Sequence, residues 1–153
     1  IIAGNQDFKV YTQSIKDTIE KLNLHNKVEL LGPVNKKALR ELYSKCSFLI
    51  FPSPYENFAY TLVEAMSCGA AIICANTTAM PETCGNAALY FDPNNIEEMS
   101  EKMNTLLSNT NKKNSLKELA LKRANQFPDY QEVSKKTLSI INSFMQRKEI
   151  NGK

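Results

Sequence analysis

A single histidine among 153 residues removes at once the catalytic triads and multi-histidine metal sites that depend on imidazole. That residue, His25, lies in the polar stretch Asn23-Leu24-His25-Asn26 between two elements and reads as a solvent-exposed turn residue. The four cysteines, Cys46, Cys68, Cys74 and Cys84, contain no CxxC pair, which argues against a zinc site or a dithiol redox motif and for reduced structural thiols. No uninterrupted apolar run reaches the length of a membrane span; the most apolar region, 58–75, is broken by Glu64 and Gly69. A net charge of +3 is too small to imply a nucleic-acid partner. The basic pairs Lys112-Lys113, Lys122-Arg123, Lys135-Lys136 and Arg147-Lys148 alternate with acids at helical spacing, as on a solvated face. The start, Ile1-Ile2-Ala3-Gly4, has neither an initiating Met nor the basic beginning of a signal peptide and reads as the end of a buried strand. The expectation is an excised piece of a longer protein.

What is present is an ordinary globular composition, 42% hydrophobic and 23% charged, enough for one packed domain over 1–150. Short β-rich runs alternate with amphipathic stretches as far as residue 109, the pattern of βαβ units around a parallel sheet, Rossmann-like with helices on both faces. The strands fall at 1–3, 28–31, 48–51, 71–74 and 88–91. Residues 11–22 place Ile15, Ile19 and Leu22 on one helical face, and 36–46 do the same with Leu39, Leu42 and Tyr43, so both read as crossover helices. Runs such as Phe48-Leu49-Ile50-Phe51 lack polar alternation, as central strands covered on both faces do. After the turn Asp92-Pro93-Asn94-Asn95 the chain turns helical, with helices at 96–109, 112–126 and 131–147 and a frayed tail at 151–153.

In an open α/β sheet ligands bind beyond the carboxyl ends of the strands, which directs attention to the loops after residues 3, 31, 51, 74 and 91. The loop Pro52-Ser53-Pro54-Tyr55-Glu56-Asn57-Phe58 stands out, because two prolines fix its backbone and a helix follows, beginning near Ala59 and ending at Gly69. The first turn of that helix offers free N–H groups and a positive dipole end to a phosphate. Glu64 is the only charged residue between Asn57 and Pro81. Either it is a buried carboxylate in need of donors, such as the hydroxyls of a ribose, or it occupies the one solvent-facing stripe of a half-buried helix. Glu56 is likewise either a partner of the helix dipole or a second ligand group, and seven residues separate the two carboxylates.

The segment from Glu56 to Gly69, Glu56-Asn57-Phe58-Ala59-Tyr60-Thr61-Leu62-Val63-Glu64-Ala65-Met66-Ser67-Cys68-Gly69, resembles the E-x7-E signature of retaining glycosyltransferases, family 4 in particular, whose architecture is the two-domain GT-B fold. Its flanks are similar too: Val28-Glu29-Leu30-Leu31-Gly32-Pro33-Val34 to the family's strand and base-binding turn, Leu49-Ile50-Phe51-Pro52-Ser53 to the strand feeding the motif, Met80-Pro81-Glu82 to its Pro-Glu turn, and Tyr90-Phe91-Asp92-Pro93 to its last strand and exit. The E-x7-E spacing alone is a weak pattern; five blocks in the right order are a strong one. The resemblance covers residues 1 to about 145.

What the resemblance implies is the C-terminal, nucleotide-sugar-binding half of a bacterial-type hexosyltransferase of polysaccharide or glycolipid synthesis. The donor would be a UDP-, GDP- or ADP-sugar and the acceptor a saccharide or lipid-linked saccharide held by an absent domain. By the same resemblance Glu56 is the catalytic-site carboxylate on the donor sugar, and Glu64 binds the ribose hydroxyls. The amides of Asn57, Phe58, Ala59, Tyr60 and Thr61 meet the distal phosphate, Leu62 lies against the nucleoside, and Gly32, Val34 and Asn35 frame the base. No metal or other cofactor is implied for this half. Lys36 and Lys37 either add positive charge near that turn or sit on a helix surface. The family's usual glycine is replaced by Ala59, whose methyl group is expected to tighten the approach to sugar or phosphate. The implied setting is the cytoplasm, at the inner face of a membrane through the absent domain, and the isolated chain is expected to be inactive. Two alternatives stay open: a GT-B-like nucleotide-sugar epimerase, disfavoured by the single histidine, and a non-catalytic nucleotide-binding or interaction module.

Overall fold

The computed structural model describes residues 1–5 and 7–151, with side-chain surroundings described as far as Met145. Of the tail expected to fray, Asn151 closes the last helix, while Gly152 and Lys153 lie outside the described residues. The chain divides into two compact units, Ile1–Lys45 and Cys46–Lys153.

In the first unit β1 (Ile2–Ala3) pairs in parallel with β2 (Leu30–Gly32), Ile2 facing Leu30 and Ala3 facing Gly32. Parallel neighbours need a crossover, and α1 (Lys9–Lys21) supplies it. Ile15 and Ile19 of α1 are half-buried as its periodicity predicts. Leu22, expected on the same face, stands at the helix C-terminus and is exposed, because its φ of −94° and ψ of 4° already leave the helical path. His25 is exposed in the turn between α1 and β2. The second helix, α2 (Lys36–Lys45), buries Tyr43 and half-buries Leu39 and Leu42. Its start is set by Asn35, whose side-chain oxygen accepts the Ala38 N–H at 2.9 Å and so satisfies one of the N–H groups that a helix N-terminus leaves open.

The second unit is a parallel sheet in the order β3-β4-β5, formed by β3 (Leu49–Phe51), β4 (Ile72–Ala75) and β5 (Ala88–Phe91). The register runs Leu49 to Ile72 to Ala88 and Phe51 to Cys74 to Tyr90. Every residue of β4 is fully buried, which is why its sequence shows no polar alternation. Side chains alternate across a strand. Thus Ala71 and Ile73 share a core with Phe91, Leu106 and Leu116, whereas Cys74 faces the other way, toward Cys84. Between the strands run α3 (Tyr60–Ser67) and the short α4 (Met80–Cys84), followed by one 3₁₀ turn, Gly85–Ala87.

Where the sequence reading has only a Pro-Glu turn, α4 completes a helical turn and a half. Pro81 in its first turn has no N–H to waste and a φ already helical, and Glu82 meets the positive helix end. The helical C-terminal part consists of α5 (Ile96–Ser108), α6 (Thr110–Ala124) and α7 (Tyr130–Asn151). Each has a side-chain N-cap: Asn95 Oδ1 accepts from Glu98 N, Asn109 Oδ1 from Lys112 N, and Asp129 Oδ1 from Glu132 N. Asn109 alone separates α5 from α6, two residues tighter than the break expected at 109–111.

Two local devices hold α3 and α4 in place. At the end of α3, Gly69 N donates to Met66 O and Ala70 N to Ala65 O, the paired reverse bonds of a Schellman motif, with Gly69 at φ +73°. At α4, the guanidinium of Arg123 on α6 donates from Nε to Thr83 O at 2.9 Å and from Nη2 to Glu82 O at 2.6 Å, which satisfies two carbonyls near the helix end. The same group lies 5.2 Å from the centre of the Phe127 ring. The four cysteines are free: Cys74 and Cys84 buried, Cys46 and Cys68 partly so. A hydrogen bond to Cys84, and then burial, pushes the Cys74 thiol well above the usual range, so it stays protonated. Among the described residues no helix is long and apolar enough to cross a membrane.

Two stability predictions follow from this packing. Leu106→Ala empties a fully buried position and is expected to lower the unfolding free energy by about 2–5 kcal/mol in urea titration. At Gly69 an added Cβ would meet only the Leu121 side chain at an ordinary 3.7 Å, so the penalty of Gly69→Ala is conformational, about 1–2 kcal/mol, and Gly69→Asn should cost less.

Candidate functional site

Because β3, β4 and β5 are parallel, the loops that leave them, 52–59, 76–79 and 92–95, emerge at the same end of this sheet. The 52–59 loop opens with Pro52 and Pro54 and is folded on itself: Ser53 Oγ donates to Tyr55 O at 3.1 Å, and Tyr55 Oη to Asn57 Oδ1 at 3.0 Å. A longer-range bond crosses to the next loop, where the Glu56 N–H donates to Thr78 Oγ1 at 3.1 Å. Phe58 is wedged edge-on between Tyr60, 4.6 Å away between ring centres, and Phe127, 5.9 Å away.

The loop delivers the chain to Ala59, the N-cap position of α3, which has no side chain able to cap. Tyr60 N donates to Phe58 O and Leu62 N to Ala59 O, but among the described residues the amides of Ala59 and Thr61 have no acceptor. The starts of α1 and α4 likewise lack a side-chain cap, whereas α2, α5, α6 and α7 have one. The start of α3 leaves the amide of the half-buried Thr61 and the positive dipole end able to meet an anion. Glu56, half-buried, precedes this turn, and Glu64 follows one helical turn inside it. Among the described residues neither carboxylate has a hydrogen bond or an ion pair to a side chain.

Of the two readings open for Glu64, the structure supports the exposed one: it lies on the solvent-facing stripe of α3, whose other side buries Leu62, Ala65 and Met66. The expectation that Leu62 lies against a nucleoside is corrected, since its side chain is fully buried in the core. Ala59 is corrected too. It is 1% exposed at φ −83°, so its methyl group fills the interior instead of narrowing the approach to the amides. Tyr60 and Asn57 are exposed and Thr61 is half-buried.

Gly32, Val34 and Asn35 belong to the first unit. Gly32 ends β2 at φ +67°, buried, and its carbonyl accepts the Gly4 N–H at 3.0 Å. Val34 is half-buried, and the Asn35 side-chain oxygen is already engaged in capping α2. Lys36 and Lys37 are exposed in the first turn of α2.

The loop 76–79, one of the five that follow strand ends, holds residues that no sequence motif singles out. There Thr78 takes φ +46°, unusual for a β-branched residue, and the buried Thr77 Oγ1 has no hydrogen-bond partner among the described residues. The available signal was position: a polar triplet, Asn76-Thr77-Thr78, directly after the buried β4. Among the described residues no cluster of His, Cys, Asp and Glu is arranged to hold a metal ion.

Known proteins share this fold. The fold superposes on sucrose-phosphate synthase from Thermosynechococcus elongatus with a TM-score of 0.85 at 18% identity, over 95% of this chain and 38% of that one. It superposes on the Anabaena protein HepE, solved in complex with UDP, with a TM-score of 0.82 at 23% identity, over 92% of this chain and 40% of that one. At these identities the likeness establishes the fold, that of the C-terminal domain of a GT-B glycosyltransferase. Among curated relatives, O-antigen chain mannosyltransferase B of Escherichia coli is 40% identical over 73 residues, 48% of this chain and 19% of the relative. O-antigen chain mannosyltransferase RfbU of Salmonella typhimurium strain LT2 is 33% identical over 93 residues, 61% of this chain and 26% of the relative. The chain thus spans about a fifth to a quarter of the length of these relatives. With the profile of the glycosyl transferases group 1 matched over residues 1–123, a range that includes both glutamates and the bare helix N-terminus, the chain belongs to that glycosyltransferase family.

Proposed function

We propose that this chain is the donor-binding half of a retaining enzyme that moves a hexose from a nucleoside diphosphate to a saccharide or lipid-linked acceptor. The observation that carries the reading is the uncapped N-terminus of α3, with the amide of the half-buried Thr61 free of an acceptor and lying between two carboxylates that have no side-chain partner among the described residues. A diphosphate suits that amide and the helix dipole, and vicinal hydroxyls suit the carboxylates. Glu64 takes the ribose hydroxyls and Glu56 the hydroxyls of the transferred sugar.

Catalysis on this reading is leaving-group stabilisation. The departing diphosphate gathers charge as the glycosidic bond breaks, and oriented N–H groups aimed at that charge lower the barrier without reorganising. Holding the sugar by Glu56 converts the encounter with the acceptor into a positioned reaction. No metal is required from this half. Related proteins agree with such a donor: HepE has also been solved with UDP-glucose, and the relatives named above are mannosyltransferases of O-antigen chains. The relatives' names favour mannose as the sugar, and the cytoplasm, beside a membrane, is the setting proposed with it.

The direct test is a calorimetric titration of this chain with UDP, GDP and ADP. One nucleotide is expected to bind preferentially, and Glu64→Ala is expected to weaken it about ten- to a hundredfold, the worth of a charge-assisted hydrogen-bond pair. Equal affinity in the mutant removes Glu64 from the ribose. The isolated chain should show no sugar transfer in a radiolabel assay, since water reaches the leaving group where a second wall is lacking.

A further inference from the structure

We propose that Thr78 is a positioning residue for Glu56: its hydroxyl clamps the backbone of the 52–58 loop and thereby sets where the Glu56 carboxylate stands. The proposal rests on the reading of Glu56 as the group that meets the donor sugar. Three observations carry it.

First, the bond from Glu56 N to Thr78 Oγ1, 3.1 Å long, spans 22 residues of sequence. Among the described residues it is the only hydrogen bond that ties positions 52–57 to any other segment, the other bonds of that stretch being internal to it. Pro52 and Pro54 cannot donate, so the loop has few other means of attachment.

Second, the clamp is itself anchored. Thr78 Oγ1 accepts from Glu56 and points its own proton at Met80 Sδ, 3.8 Å away, and Met80 is fully buried at the start of α4. Both hydrogen-bonding functions of the hydroxyl are therefore used, one toward the loop and one toward the core.

Third, Thr78 occupies φ +46°, where a β-branched residue is disfavoured and glycine is at ease. The backbone here asks for glycine, while the contacts ask for a hydroxyl. A residue placed against its own conformational preference, with its one polar atom bridging two segments, marks the hydroxyl as the useful part.

The test uses the full-length transferase that contains this chain, with Thr78→Ser, Thr78→Gly, Thr78→Val and Glu56→Ala. Its donor is whichever of UDP-glucose, GDP-mannose and ADP-glucose the wild type turns over fastest. Thr78→Ser should keep kcat within about twofold, whereas Thr78→Gly and Thr78→Val should lose about tenfold in kcat with donor KM changed by less than about threefold, because the phosphate and nucleoside contacts lie outside the clamp. The Glu56 amide should exchange with deuterium faster in the Gly and Val variants than in wild type or Ser. Adding Thr78→Gly to Glu56→Ala should cost nothing further, since both act through one carboxylate.

Thr78→Gly is the decisive variant, because it suits the left-handed backbone and removes only the side chain. Full kcat in Thr78→Gly beside an impaired Glu56→Ala overturns the clamp and leaves the Glu56 assignment standing. Full kcat in Glu56→Ala overturns that assignment and the clamp with it, as does a wild type that turns over none of the three donors. An unfolded Thr78→Gly, or a Thr78→Ser as impaired as Thr78→Val, shows a merely structural residue and likewise overturns the proposal.

Discussion

The constraint on which the second unit depends is the complete burial of β4. Its four residues, Ile72 to Ala75, are closed off from solvent and paired on both edges, by β3 and β5. A strand so placed has to be apolar on both faces, and the helices that cover it have to lie on both. Because its neighbours are parallel to it, the chain must return to the same end of the sheet after each strand. Three loops are thereby gathered at one end before any of them has chemistry to perform. The Glu56–Thr78 bond is a local consequence of that gathering, joining the loop after β3 to the loop after β4.

Most of this architecture is legible in the residues. Strands appear wherever a short apolar run is bracketed by turn formers, and each of the five observed strands overlaps its expected run. The differences have specific causes. The break between α5 and α6 shrinks to Asn109 because one asparagine ends the first helix and caps the second. The helix α4 escapes notice because five residues carry too little periodicity to register, although Pro81 and Glu82 together are a helix-start signal. Leu22 leaves its expected face because α1 ends one residue earlier.

The site is legible to a smaller degree, and the reason is that a spacing of carboxylates says nothing about which side chains a helix turns inward. The strand, the loop and the bare helix start that carry Glu56 and Glu64 follow directly from the sequence. The exposure of Glu64, the burial of Leu62 and the inward methyl of Ala59 follow from how α3 is rotated on the sheet, which Met66 and Ala65 decide by packing. Asn35 shows another limit. The residue type that suits base recognition is also the type that caps helices, and only the Ala38 bond assigns its oxygen. Thr78 is marked in the sequence only by its place in the polar triplet after β4, and its tie to Glu56 is not legible there because the two lie 22 positions apart.

The paired thiols of Cys74 and Cys84 give the second unit a chemical memory of whether it is folded. Both sulfurs are sealed in the interior; Cys74 is held protonated, whereas the hydrogen bond from Cys74, aided by the charge of Arg123, draws the Cys84 thiol down, so burial is what keeps Cys84 from reacting in the native state. Electrophiles and oxidants reach them only when β4 parts from α4. An event that briefly opens the sheet would leave a covalent mark at its centre, on the strand that everything else in the unit is built around, and a marked chain could not close again on a core packed to exclude it.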